Sequence, residues 1–150
     1  MGIAVRIAGL DDLESVVPLF DSYRQFYGRT SDQALARSFL RERMANKESV
    51  IFLAQADGGA AGFIQLYPSF TSTGAARIWI LNDLFVAPAR RGQGIASLLL
   101  ERAAGFARET GAVRLGLSTA VTNHAAQALY ERHGWKRDTE FLSYQLATAV

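Results

Sequence analysis

The segment Val86-Ala87-Pro88-Ala89-Arg90-Arg91-Gly92-Gln93-Gly94-Ile95-Ala96 constrains this chain more than any other. Before it, Ile78 to Val86 is a run of β-type apolar residues; from Ile95 onward a long amphipathic pattern begins. A Gly-rich, basic junction between strand and helix is suited to holding phosphates. Glycine lets the backbone come close to a ligand and turn its N–H groups inward. The helix that follows adds unpaired first-turn donors and the positive end of its dipole. Arg90 and Arg91 add formal charge. A solvated basic pair is their plainer reading, but beside two glycines at a helix start phosphate binding is the stronger one.

Two common phosphate-binding loops fit poorly. No stretch has the form GxxxxGK[ST], which argues against a P-loop nucleotidase. Gly92 to Ser97 reads GxGxxS, near the dinucleotide fingerprint, but that motif needs its glycines tight against the strand end and an acidic residue about 20 positions on. Here Ala87 to Arg91 intervene, and no Asp or Glu occurs between Glu109 and Glu131. Arg114 keeps a 2′-phosphate reading open.

Composition narrows the classes further. The 150 residues suit one domain, residues 1–150, and 49% hydrophobic content argues for a packed fold. A net charge of +2 is no nucleic-acid footprint. With no cysteine, disulfides, thiolate metal sites and a Cys nucleophile are excluded. The two histidines lack metal-ligand spacing, so no metal is expected. The first residues carry no signal-peptide core, and no apolar run nears the ~18 residues of a membrane span. The expectation is a cytoplasmic protein with no membrane partner.

Ile3 to Ile7 alternates as a first strand. Asp11 or Asp12 is placed to cap a helix through Val16, Phe20 and Tyr23 to Gly28, with Pro18 expected to kink it or shift its start. Ser31 is placed to cap a second helix carrying Leu35, Phe39, Leu40 and Met44. Strands follow at Ser49 to Gln55 and Ala61 to Phe70, joined by the hairpin turn Asp57-Gly58-Gly59. A long strand covers Ala76 to Val86. After the loop come a helix from about Gly94 to Thr110, a strand over Ala112 to Ser118 and a helix from Asn123 to His133. Trp135 to Lys136 and Phe141 to Leu146 read as two final strands. The order β-α-α-β-β-β-α-β-α-β-β implies an α/β (α+β) fold: a mixed, mostly antiparallel sheet of six to seven strands with helices on both faces.

One pattern unites the loop with the C-terminal half. Arg91-x-x-Gly94-x-Ala96 has the form [QR]-x-x-G-x-[GA] and follows Asp83-Leu84-Phe85-Val86. About 27 residues later stands Asn123-x-x-Ala126-x-x-Leu129-Tyr130-x-x-x-Gly134-Trp135. This pair resembles the acetyl-CoA-binding signature of the GNAT superfamily of N-acetyltransferases. The resemblance covers Ile3 to about Leu146 and is tightest from Leu81 to Trp135.

The resemblance implies a GNAT fold whose strands at Ile78–Val86 and Val113–Ser118 splay apart, with the pantetheine arm of acetyl-CoA in the gap. It places the pyrophosphate on the backbone of Arg91, Gly92, Gly94 and Ala96, with Gln93 and Ile95 in the same loop. Phe85 and Val86 supply the strand edge, and Asn123 and Ala126 flank the pantetheine. Tyr130 matches the tyrosine beside the thioester sulfur. A phenol with pKa ~10 can protonate the leaving thiolate, although a helix-face aromatic is often only a packing residue. Asn123 is also a natural N-cap for its helix.

Acetyl transfer to an amine needs a neutral nitrogen, a donor for the carbonyl oxygen and a proton for the thiolate, but no metal or nucleophilic side chain. The chain departs from the family at the base: many members carry Glu-Asp where this one has Asn82-Asp83. Asn82 cannot accept a proton, leaving it to orient an amine or water. Asp83 can act if a bulge turns it toward the gap; strand alternation would otherwise bury it beside Trp79, Leu81 and Phe85. Tyr23, Phe26 and Tyr27, with the Pro68 to Gly74 loop, are expected to frame an acceptor amine, since aromatics hold cations. The implied activity is direct acetylation of a primary amine, a small molecule or a protein lysine. The tail is similar to that of members acting on polyamines or protein lysines, and family analogy adds a homodimer. The rivals are a non-catalytic acyl-CoA-binding or sensor domain and a dinucleotide-binding module.

Overall fold

A computed structural model describes residues 2–149. The chain divides into two compact units, one ending at Ser118 and one beginning at Thr119. The first holds strands β1 (Ile3–Ile7), β2 (Val50–Ala56), β3 (Gly59–Thr71), β4 (Ala76–Val86) and β5 (Leu115–Gly116). It also holds helices α1 (Leu13–Phe26), α2 (Gln33–Ala45) and α3 (Ile95–Glu109). The second contains one helix, α4 (His124–Arg132).

The five strands lie in sequence order; β1 to β4 pair antiparallel and β5 joins β4 in parallel. The sheet is mixed, as expected, but has five strands among the described residues rather than six to seven. Hairpin chemistry explains the antiparallel part. Asp57 and Gly58 both have positive φ, at 52° and 78°, the backbone a two-residue turn requires between twisted strands.

Alternation divides the strands between two cores. On one face Ile51, Leu53, Phe63 and Phe85 pack with Val16, Val17 and Phe20 of α1 and Ala36 and Leu40 of α2. On the other, Phe106 of α3 meets Phe52 at 5.3 Å and Trp79 at 5.1 Å between ring centroids. Leu99, Leu100 and Ala103 of the same helix are buried.

Several local expectations change. A short 3-10 turn, Leu10–Asp12, precedes α1, and Asp12 stands at the N-cap position of α1 without a side-chain capping bond. Its carboxylate instead binds Arg6 and the Gly9 N–H. Helix α1 runs unbroken through Pro18. The cap of α2 is Asp32, accepting from the Leu35 N–H at 3.0 Å, and not Ser31. Ser31 donates to the buried carboxylate of Asp21 at 2.6 Å, a stronger acceptor than a backbone group.

The fifth strand is only two residues long, against the seven expected. The Trp79 N–H donates to the Arg114 carbonyl and the Val113 N–H to that of Arg77, and the ladder then closes at Ile80↔Gly116. No strand forms over Trp135–Lys136 or Phe141–Leu146. A strand needs a partner, and Phe141, Leu142, Tyr144 and Leu146 are exposed. Asp138 accepts from the N–H groups of Glu140 and Phe141, fixing a turn before the segment.

Candidate active site

The end of the β4–β5 ladder opens the site. Beyond Ile80 and Gly116 the two strands are unpaired, leaving a cleft of about 270 Å³ lined by Ile80, Leu81, Asn82, Gly116, Leu117 and Ser118. The splay the sequence implied is therefore present, and it begins one residue before Asn82.

A β-bulge sits at this point. Gln65 of β3 pairs with Asp83 and Leu66 with Leu81, leaving Asn82 as the extra residue on β4. A bulge places two successive side chains opposite one partner residue, breaking the inside–outside alternation. Asn82 and Asp83 are thus neighbours: Asn82 Nδ2 donates to Asp83 Oδ1 at 2.8 Å. Asn82 is exposed in the cleft, while Asp83 is 1% exposed. Gln65 Nε2 donates to Asp83 Oδ2 at 2.5 Å. Burial pushes the Asp83 carboxyl above its usual range, and the hydrogen bonds from Asn82 and Gln65, with the nearby Tyr23 hydroxyl, partly offset this.

Tyr23 of α1 packs edge-on against Phe63 and Phe85, at 6.0 and 6.3 Å, and donates its hydroxyl to the Asn82 carbonyl at 3.1 Å. Burial, then the nearby Asp83 charge, drives its phenol pKa upward. Tyr27 meets Tyr23 at 5.1 Å and Phe26 meets Tyr27 at 5.2 Å, so the three form a continuous aromatic array. Its outer members are solvent-facing, Phe26 at 61% and Tyr27 at 57% exposure. Gln65 escaped sequence reasoning, whereas the bulge stood there as one of two alternatives for Asp83. A glutamine inside an otherwise apolar strand run was the available signal.

At the far end of β4 the loop takes the form its glycines allow. Gly92 and Gly94 both have φ of +79°, a region that disfavours any Cβ. Among the described residues, no backbone carbonyl accepts from the N–H groups of Gly92, Gln93 and Gly94. Those of Ile95 and Ala96 open α3, where no intrahelical acceptor exists. The loop thus presents unpaired donors on glycine-permitted backbone at a helix start, as a pyrophosphate requires. The two arginines differ. Arg90 is tied to Asp57 at 2.9 Å, and Arg91 folds back so that its Nε donates to the Val86 carbonyl at 3.1 Å. Ile95 is 2% exposed, so its side chain belongs to the core and only its backbone faces the loop.

Gly62 fixes where this loop sits. A Cβ there would lie 2.8 Å from the Phe85 carbonyl oxygen, 3.3 Å from Val86 Cα and 3.4 Å from Ile95 Cγ2. The close approach locks the end of β4 and the start of α3 onto β3.

The second unit carries the other half of the motif. Asn123 caps α4, its Oδ1 accepting from the Ala126 N–H at 3.1 Å. The Tyr130 ring lies 5.9 Å from that of Trp135 with the planes tilted by 50°, and the Trp135 backbone N–H donates to the Tyr130 carbonyl. Gly134, at φ +89°, makes the reversal that brings Trp135 back.

Comparison with known proteins gives the family. The model of the acetyltransferase (GNAT) family matches residues 15–135, a span that crosses the boundary between the two units. The chain is 44% identical over 142 residues to YhfO, an uncharacterized N-acetyltransferase of Bacillus subtilis, covering 95% of each protein. A solved structure of a probable acetyltransferase superposes with a TM-score of 0.93 at 46% identity, covering 98% of this chain and 99% of that one. The aminoglycoside N-acetyltransferase AAC(6')-Iy, solved in complex with CoA, shares the fold at 18% identity, with a TM-score of 0.82 and coverage of 97% and 95%. The chain belongs to the GNAT acetyltransferase family and is an N-acetyltransferase. No helix among the described residues is long and apolar enough to cross a membrane.

Proposed function

We propose that this protein transfers an acetyl group from acetyl-CoA directly to a primary amine within one ternary complex. The observation that carries this reading is the coincidence of two features on β4. The strand opens into the cleft at Asn82, and it ends in a loop of unpaired N–H groups.

Gly92, Gln93, Gly94 and Ala96 hold the pyrophosphate through their backbones, and Arg91 adds charge beside it. Phe85 and Val86 offer the free strand edge for the pantetheine, with Asn123 and Ala126 assigned to it by the family pattern. Acetyl-CoA supplies an activated thioester carbonyl. Asn82 holds the incoming amine in the cleft, and Tyr130 is assigned to protonate the departing sulfur. Asp83 acts from behind Asn82, since its burial keeps it from the cleft itself. Tyr23, Phe26 and Tyr27 form an aromatic approach suited to a cationic amine, whether on a small molecule or a protein lysine. The two units work as one cytoplasmic acetyltransferase domain, and a homodimer is the expected assembly.

Thiol release from acetyl-CoA, measured against spermidine, lysine peptides, free amino acids and aminoglycosides, tests the reading. Amine-dependent release establishes the transfer and names the acceptor class. Silence across the panel, with acetyl-CoA still raising the melting temperature, points instead to an acyl-CoA sensor.

A further inference from the structure

Cofactor binding leaves the buried amide of Gln65 unexplained. Gln65 is fully buried in the middle of β3, where Phe63, Ile64 and Leu66 around it are fully buried and apolar. Its Nε2 is committed to Asp83, and its Oε1 has no partner. An amide in that position costs stability, so an apolar residue would serve the core better. What the amide does is hold one oxygen of Asp83. The other oxygen holds the Asn82 amide through its Nδ2. An Asn whose NH₂ is held from within turns its carbonyl Oδ1 the other way. Asn82 lines the cleft, and Tyr23 pins the backbone of this same bulge residue through its carbonyl.

We propose that Gln65 and Tyr23 are positioning residues that hold Asp83 and the Asn82 bulge, so that Asn82 Oδ1 faces the cleft and accepts from an N–H of the attacking amine. This rests on the transfer reading above. Asp83 must be ionised for the arrangement, because both of its oxygens then accept. A protonated Asp83 presents an O–H toward one of two NH₂ groups and releases the Asn82 amide to turn. The groups facing Asp83 are few. They are Tyr23 of α1 with Tyr27 beyond it, Gln65 and Tyr67 of β3, and Asn82 on its own strand. Arg43 of α2 acts on Tyr67, and the cleft residues at the end of β5 and just after it, Gly116 to Ser118, carry no titratable side chain.

The test compares wild type, Gln65→Met and Tyr23→Phe across pH. The Asp83 midpoint is read twice, from the acid limb of kcat/KM for the amine and from the side-chain amide resonances of Asn82. Removing the Gln65 donor should move both midpoints upward by about one pH unit. It should lower kcat/KM for the amine about tenfold while leaving KM for acetyl-CoA unchanged. Tyr23→Phe should shift the midpoints the same way by less, and it carries the test if Gln65→Met does not fold. Midpoints that stay in place in an active enzyme, with activity falling only as the melting temperature falls, overturn the positioning role alone. A wild type whose Asn82 resonances titrate but which releases no thiol with any amine overturns the transfer reading, and the acceptor role of Asn82 with it.

Discussion

Gly62 and Gly105 offer the same substitution with opposite expected outcomes. At Gly62 the added methyl meets backbone: the Phe85 carbonyl oxygen at 2.8 Å and Val86 Cα at 3.3 Å, with Ile95 Cγ2 at 3.4 Å. The first two cannot rotate away, so β3 must separate from the end of β4 or α3 must shift. Overpacking of this kind costs about 1–3 kcal/mol. For a chain of this size that lowers the melting temperature by about 2–10 °C. At Gly105, inside α3, the nearest atom is the flexible Arg102 guanidinium at 3.9 Å. Alanine there removes the entropic cost of a helical glycine and should stabilise by about 0.5–1 kcal/mol. The two variants are compared by calorimetry, and acetyl-CoA affinity is measured by titration. Gly62→Ala should also weaken acetyl-CoA, because relief of the clash displaces Val86 and Ile95 at either end of the phosphate loop. Gly105→Ala should leave affinity alone. A Gly62→Ala protein within about 0.5 kcal/mol of wild type, binding acetyl-CoA normally, would refute the claim that this contact sets the loop.

The remaining predictions concern charge, the loop and the acid. Asp21 accepts from Ser31 Oγ, the Asp32 N–H and Gln25 Nε2, and the Ser31 bond leads in holding its carboxyl below the usual range. Its contribution is therefore full above the unfolded pKa of about 3.9 and is lost as pH falls through the lower folded value. Asp21→Asn should cost about 1–3 kcal/mol at pH 7, and urea melts should show the gap to wild type closing toward pH 3; a constant gap would remove the charge from the explanation. Gly94→Val forces a β-branched residue to φ +79° and should abolish acetyl-CoA binding, so retained affinity would sink the loop assignment. Tyr130→Phe should lower kcat by about 10²-fold with acetyl-CoA affinity intact, whereas unchanged turnover would assign the ring to packing on Trp135.

The parts of the fold that read correctly from sequence are those whose cause is local. Asp57-Gly58 makes its turn because of its own backbone preferences, and β4 runs from Ala76 to Val86 as its apolar run implies. The loop likewise reads well, since glycine at a helix start is a local statement. The cap of α2 failed by one residue for a reason outside the helix. Ser31 had a better acceptor in Asp21, ten positions away, and Asp32 was left to cap. The final strands failed because alternation describes a surface and not a partner. Phe141 to Leu146 alternates, yet a ladder needs a neighbour that no pattern within the segment specifies.

The bulge is the instructive case, because it makes two readings of one residue true together. Asp83 is buried, as strand alternation would have it, and it is also turned onto the same side as Asn82, as a bulge would have it. Sequence alone offers these as alternatives, since one slipped residue exchanges the faces of everything beyond it. In the structure the extra residue is Asn82 itself, so the exposed amide and the buried carboxylate end on one side of the sheet, joined at 2.8 Å. A glutamate in place of Asn82 would put a second carboxylate beside Asp83 and raise the pKa of one of them. An asparagine avoids that conflict and converts the buried charge into a directed neutral acceptor. On the proposed reaction, none of the residues lining the cleft, Ile80 to Asn82 and Gly116 to Ser118, carries a carboxylate or an imidazole, so the amine would reach Asn82 already neutral or lose its proton to water. Turnover should therefore keep rising with pH toward the pKa of the free amine. A plateau near pH 7, set by a protein group, would show that a base elsewhere does this work.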